Sequence, residues 1–170
     1  EVAHEICEKL IYRNPHIYVD VKVKDEAEVK KNWEALKLKE GKKTVLGGVP
    51  KGLPALVKAQ RIQDKAAGVG FDWEDAEPVW EKVQEELNEF QEEVAKGNST
   101  KSEEEFGDVL FSLINYARFL KINPDTALER TNQKFISRFN YLEAKALELG
   151  KPLQEMSLKE MEAYWVEAKN

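Results

Sequence analysis

Glu86-Leu-Asn-Glu89 and Glu105-Phe-Gly-Asp108 hold the greatest chemical potential in this chain. Both stretches read as helix, and residues three apart on a helix share a face with Cβ atoms roughly 5–6 Å apart. Each pair therefore presents two carboxylates to one small volume, and two such pairs facing each other make a magnesium cage. A donor set of carboxylates without His or Cys suits hard cations. Magnesium keeps several waters and takes substrate phosphates as its remaining ligands, and manganese is a possible substitute. A di-iron carboxylate bundle needs a Glu-x-x-His motif on each of two helices. Only Glu1-Val-Ala-His4 has that form, and His16 lies in a proline-containing loop, so iron is disfavoured and both histidines read as surface or packing residues.

The elements that must position these acids follow from periodicity. Apolar residues recur at helical spacing along almost the whole chain, and period-two alternation is confined to Ile17-Tyr18-Val19-Asp20-Val21, so the fold class is all-α. A first helix is expected over 1–13, stopped by Asn14-Pro15, and a second from the cap residue Asp25, with Val29, Trp33 and Leu36 on one side. Residues 41–52 hold four glycines and a proline, which favours a flexible linker. From Leu53 a bundle of helices is expected over 54–67, 75–96, 102–121, 124–149 and 157–169. Gly97-Asn98-Ser99 turns between the acidic helices, Asn123-Pro124 supplies a cap and an N1 proline, and Ser157 to Glu160 has capping-box spacing. Short connections make successive helices antiparallel neighbours.

On the first acidic helix Val79, Val83, Leu87, Phe90 and Val94 form a core stripe, with Glu86 and Glu89 along one flank of it. The second is apolar on nearly every side from Phe106 to Leu120, as expected of a helix buried on two sides. Its polar exceptions, Asp108, Ser112 and Asn115, continue the line begun by Glu105, and carboxylates in such a setting need a cation. Residues 85 to 108 carry nine acids against Lys96 and Lys101. Glu85, Glu92, Glu93, Glu103 and Glu104 read as a solvated acidic face, and Ser102 to Glu105 also matches a plain capping box. Trp73 and Trp80 read mainly as packing residues.

Composition bounds the rest. With 170 residues and 42% hydrophobic content the chain can build one sound core and is small for two. A net charge of -6 leaves no basic field for gripping nucleic acid. No apolar run is long enough to span a membrane, and no leader peptide is visible. The single cysteine, Cys7, allows neither an intramolecular disulfide nor a thiolate cluster, in keeping with a cytoplasmic setting.

Taken with Asn132-Gln-Lys134-Phe-Ile-Ser-Arg138-Phe, Trp165-x-x-x-Lys169, the stretch Ala55 to Gln63 and Val69-Gly-Phe-Asp-Trp73, the two acidic pairs make the chain resemble the MazG-type nucleoside triphosphate pyrophosphohydrolases of the all-α NTP pyrophosphatase superfamily. The resemblance covers essentially the whole chain. It implies a four-helix-bundle core, a homodimer, and hydrolysis of a nucleoside triphosphate to the monophosphate and pyrophosphate. By the same resemblance Glu86, Glu89, Glu105 and Asp108 hold magnesium, Lys134 and Arg138 bind phosphates, and Trp165 and Lys169 contact the nucleotide. The residues themselves are compatible: Lys134 and Arg138 are i,i+4 neighbours able to present two cations to one polyphosphate. Trp165 can stack on a base or simply pack with Met161.

Lys9 to Arg13 followed by Trp33 to Lys37 echoes Lys134 to Arg138 followed by Trp165 to Lys169, without acidic pairs before the early copy. Residues 1–40 therefore read as the remnant of a preceding MazG-like domain, 41–52 as the linker and 53–170 as the catalytic domain. The chain opens on Glu1 inside a helical pattern, as a piece of a longer protein would. The competing reading is a non-catalytic helical module that senses nucleotides or regulates a partner, and the intact set of four acids weighs against it.

Overall fold

The computed structural model of the chain describes residues 2–19, 22–25, 28–29, 32–33, 36 and 44–169. Every regular element among them is helical: α1 (Val2–Arg13), α2 (Pro15–Tyr18), α3 (Ala55–Ala67), α4 (Ala76–Ala95), α5 (Ser99–Phe119), α6 (Pro124–Glu148) and α7 (Leu158–Glu167), with 3-10 turns at Leu46–Gly48 and Leu153–Glu155. The all-α expectation holds. Residues 28, 29, 32, 33 and 36 are helical too, and Asp25 caps that segment by accepting the Glu28 N–H at 2.9 Å. The alternating stretch does not begin as a strand, because Ile17 and Tyr18 close α2, a single turn opened by Pro15 at its first position. Asp20, Val21, Lys37 and residues 41–43 of the expected linker lie outside the described residues. Among the described residues no helix is long and apolar enough to cross a membrane.

The chain divides into two compact units, Glu1–Ile122 and Asn123–Asn170. In the first, α4 and α5 form the principal helix pair. Gly97 at φ +71 turns the chain between them, a left-handed conformation that favours glycine. Asn98 then caps α5 by accepting the Lys101 N–H, so the helix starts at Ser99, three residues before the expected boundary, and Ser102 donates to the Asn98 carbonyl. Val79, Val83, Val109 and Ile114 are buried between the helices, Trp80 rests on Tyr116 with centroids 5.0 Å apart, and Phe90 on Phe106 at 5.4 Å. The expected α4 stripe is buried only at its first half; Leu87 and Val94 are exposed.

The second unit is α6 followed by α7, closed by Leu142, Ala146 and Met156 with Leu153, Met161 and Tyr164 around them. The capping box at the start of α7 is as expected: Ser157 Oγ accepts the Glu160 N–H, and the Glu160 carboxylate accepts the Ser157 N–H at 2.7 Å. That carboxylate also takes the Lys151 ammonium at 2.8 Å and the Ser157 hydroxyl. The ammonium, then the backbone and side chain of Ser157, hold the Glu160 carboxyl down to about 2. A lowered carboxyl stabilises the folded state above the ordinary carboxylate range and loses that stabilisation as pH falls toward 2. Glu160→Gln should therefore unfold at a lower temperature than the parent at pH 7, with the difference vanishing near pH 2. Thermal unfolding followed by circular dichroism across that range checks it, and a constant difference at all pH values would contradict it.

Candidate active site

Helix geometry brings three of the four expected acids together. One carboxylate oxygen each from Glu86 on α4 and from Glu105 and Asp108 on α5 lies within 4.8 Å of the others. Glu86 is buried, Glu105 half-buried and Asp108 exposed, so the cluster runs from the interior of the α4–α5 pair out to its surface. Glu89, one turn along from Glu86, is exposed and falls outside the converging three. Its charge is still felt: the Glu105 carboxyl is raised above the ordinary range first by desolvation, then by Glu89, Asp108 and Glu86. A cluster of oxygen donors that repel one another has the chemistry of a hard-cation site.

Lys82 was not foreseen as a site residue. Its ammonium meets Glu86 at 2.7 Å and Glu85 at 3.0 Å, and hydrogen bonds to Glu86 and then Glu85 push its pKa up. The signal was available, since a lysine one turn before a glutamate lies on the same helix face. Its ion pair relieves the charge of the most buried of the acids.

The acids border a cavity of about 630 Å³ in the same unit. Glu86, Asp108 and Lys82 line it, and Ile62, Phe71 and Trp73 give it apolar and aromatic surface. Ser112 and Asn115, the polar exceptions of α5, are buried along the same wall. Ser112 donates to the Val109 carbonyl at 2.9 Å. Asn115 Oδ1 accepts Arg118 Nε and an Arg118 terminal N–H at 3.1 and 2.8 Å, and the guanidinium forks onto Asp72. That network pins the 71–73 loop to α5. Trp73, read from the sequence mainly as a packing residue, thus stands in the cavity wall, 45% exposed, and Trp80 packs on Tyr116.

Gln63 on α3 is the second residue not foreseen. It is 6% exposed, and its Nε2 donates to the Phe111 carbonyl at 2.8 Å. Its Oε1 is buried with no hydrogen-bond partner among the described residues. An unpaired buried oxygen costs about 1–3 kcal/mol. The sequence gives no sign of this, because the orphan arises only from where α5 places a backbone carbonyl.

The remaining expected site residues lie in the second unit. Arg138 and Trp165 are brought together, with the guanidinium carbon 5.8 Å from the indole ring. Trp165 also packs on Phe135 at 4.8 Å, so its partners are α6 residues rather than Met161 alone. Lys134 lines a shallow groove on α6 with Arg130 and Gln133, and Lys169 is exposed just beyond α7. In the first unit the guanidinium carbon of Arg13 sits 5.7 Å from the Trp33 ring, so the early copy of the repeat makes the same cation–π pair.

Comparison with known proteins agrees with this arrangement. Residues 75–142, which carry the four acids together with Lys134 and Arg138 of α6, match the MazG nucleotide pyrophosphohydrolase domain. The chain is 41% identical over 172 residues to the Thermotoga maritima protein named nucleoside triphosphate pyrophosphohydrolase/pyrophosphatase MazG, an alignment spanning 99% of this chain and 65% of the relative. It is 36% identical over 175 residues to the Escherichia coli (strain K12) nucleoside triphosphate pyrophosphohydrolase, covering 66% of it. It is 50% identical over 173 residues to the YabN protein of Bacillus subtilis, covering 35% of that protein. The chain thus spans just under two thirds of the first two relatives. The four acids, Lys134 and Arg138 fall inside the matched segment and the alignments run along 99% of this chain, so its residues 75–142 are similar to the MazG nucleotide pyrophosphohydrolase domain.

Proposed function

We propose that this chain hydrolyses nucleoside triphosphates to the monophosphate and pyrophosphate with a divalent cation held by Glu86, Glu105 and Asp108, Glu89 assisting. The observation that carries the reading is the convergence of three carboxylates, of which Glu86 and Asp108 line a cavity large enough for the nucleoside portion of a nucleotide. The relatives named as pyrophosphohydrolases support it. Magnesium, or manganese in its place, would supply Lewis-acid polarisation of phosphoryl oxygens and a water of lowered pKa. The acids orient the reacting phosphates and neutralise the cation. Lys82 adds a positive charge beside Glu86, and the buried Ser112 hydroxyl is engaged with Val109, which leaves water as the nucleophile. Water adds to phosphorus as the bridging P–O bond between the α- and β-phosphates breaks.

Lys134 and Arg138 are assigned to the phosphates, and Trp165 and Lys169 to the nucleotide, as the family resemblance implies. Mixing enzyme with each canonical triphosphate and detecting pyrophosphate tests the reading: release with Mg²⁺ and its loss in excess chelator are expected. Arg138→Ala should lower kcat/KM by about tenfold or more through loss of a bidentate charge-assisted contact. Equal rates in chelator, or no pyrophosphate from any triphosphate, would refute the activity. The competing reading, a nucleotide-sensing or partner-regulating module, has the Lys82–Glu86 pair on its side, since an internal ammonium neutralises one acid without a metal. Tight nucleotide binding without turnover would favour it.

Assembly as a homodimer belongs to the same proposal. Phe106, Leu110 and Leu113 on α5 are 48%, 47% and 40% exposed, a face that a second copy packed on α4 and α5 would cover. Leu110→Glu should turn a dimer at micromolar concentration into a monomer in sedimentation velocity; a monomeric parent would overturn this. The arrangement fits a cytoplasmic protein whose lone cysteine, Cys7, is exposed and free. Residues 1–40 are taken as a repeat of the closing segment of a MazG-like domain, 41–52 as a linker and 53–170 as the catalytic domain. The matching Arg13–Trp33 and Arg138–Trp165 pairs support the repeat.

A further inference from the structure

The cavity beside the acids contains a polar group that nothing in the proposed phosphate chemistry uses. Gln63 reaches it from α3, nine-tenths buried, on the wall formed with Phe71 and Trp73. Which end of its amide is which follows from its partner: the Phe111 carbonyl can only accept, so the nitrogen must face it and the oxygen must face away. Among the described residues that oxygen has no hydrogen-bond donor. Gln63 therefore brings an unpaired acceptor to the wall that it shares with Phe71 and Trp73.

We infer that Gln63 Oε1 accepts an N–H from the nucleobase and is a specificity-determining residue for the triphosphate. The inference rests on the pyrophosphohydrolase reading, which puts the phosphates at Glu86 and Asp108 in the same cavity and so directs the base toward its aromatic wall. A planar heterocycle fills the space beside Phe71 and Trp73, and an exocyclic amino group or ring N–H on its edge supplies the missing donor. A base without that donor leaves the buried oxygen unpaired, and sites built around one hydrogen bond reject analogues lacking it far more strongly than a methylene pocket rejects a missing methyl group. Arg118 is a positioning residue here: its fork on Asp72 and its bonds to Asn115 hold the loop that carries Phe71 and Trp73.

The test uses triphosphates that share sugar and phosphates and differ in one donor: ATP against purine riboside triphosphate, CTP against 2-pyrimidinone riboside triphosphate, and UTP against N3-methyluridine triphosphate. In the parent chain at least one pair should differ by about tenfold or more in kcat/KM in favour of the donor. In Gln63→Met, which keeps the volume and removes the acceptor, that ratio should fall to within about threefold of unity while the donorless analogue keeps or improves its rate. The parent comparison stands even if the variant does not fold. If the parent hydrolyses all members of each pair equally, or if folded Gln63→Met keeps the parent ratio, the assignment is overturned while the pyrophosphohydrolase reading stands. If the parent hydrolyses none of them, both fall.

Discussion

Asp108→Asn and Glu105→Gln should each lower metal-dependent triphosphate hydrolysis by about a hundredfold or more, because each turns one of three carboxylates that converge within 4.8 Å into a neutral amide and a cage of oxygens has no softer ligand to fall back on. Glu86→Gln should do the same and also strip Lys82 of the nearer of its two acids. Glu89→Gln should cost less, since Glu89 lies outside the converging three and acts on Glu105 only through its charge. The sequence alone ranks these four acids equally; the structure separates them. Initial rates against Mg²⁺ concentration, with Mn²⁺ binding by calorimetry, decide it. Parent rates in Asp108→Asn would remove the metal site from the reading.

The same cluster sets a pH dependence with a definite sign. A carboxyl raised above its unfolded value, as Glu105 is, costs the folded protein stability above the unfolded pKa, and the cost is relieved as pH falls and the group protonates. Without metal, Glu105→Gln should therefore melt at a higher temperature than the parent at pH 7 and at a similar temperature in acid. Cation affinity in the parent should decline as protons compete for Glu105.

The largest expected loss of stability is in the second unit. Leu142 is 3% exposed at the centre of the α6–α7 contact, and truncating a leucine in such a site removes buried surface and leaves a cavity, at a cost of about 2–5 kcal/mol. Leu142→Ala should shift the urea midpoint accordingly. Leu147→Ala is the control: on the same helix but 83% exposed, it should change stability by no more than about 0.5 kcal/mol. Equal shifts in the two variants would mean that the α6–α7 contact does not hold this unit together.

Period and punctuation alone determined most of the fold. Every helix from α3 to α7 lies within three residues of its expected limits, because apolar spacing, Asn123-Pro124 and the Ser157–Glu160 box act locally, and local hydrogen bonds do not depend on what packs against them. The acids were legible for the same reason: residues three apart on a helix share a face whatever the tertiary structure. The start of α5 was misplaced because Asn98 and Ser102 both have capping chemistry and only the backbone path after Gly97 chooses between them. What the tertiary structure decided is which acids meet, which stripe positions are covered, and where single side chains end. Glu89 parts from the other three, and Leu87 and Val94 stay exposed, because burial depends on the surface of another helix. Lys82 and Gln63 became site residues through distances to groups on other turns and other helices: 2.7 Å to Glu86 in one case, and a carbonyl 48 residues away in the other. Contacts of that kind are set by how helices pack, which a one-dimensional pattern constrains but does not specify.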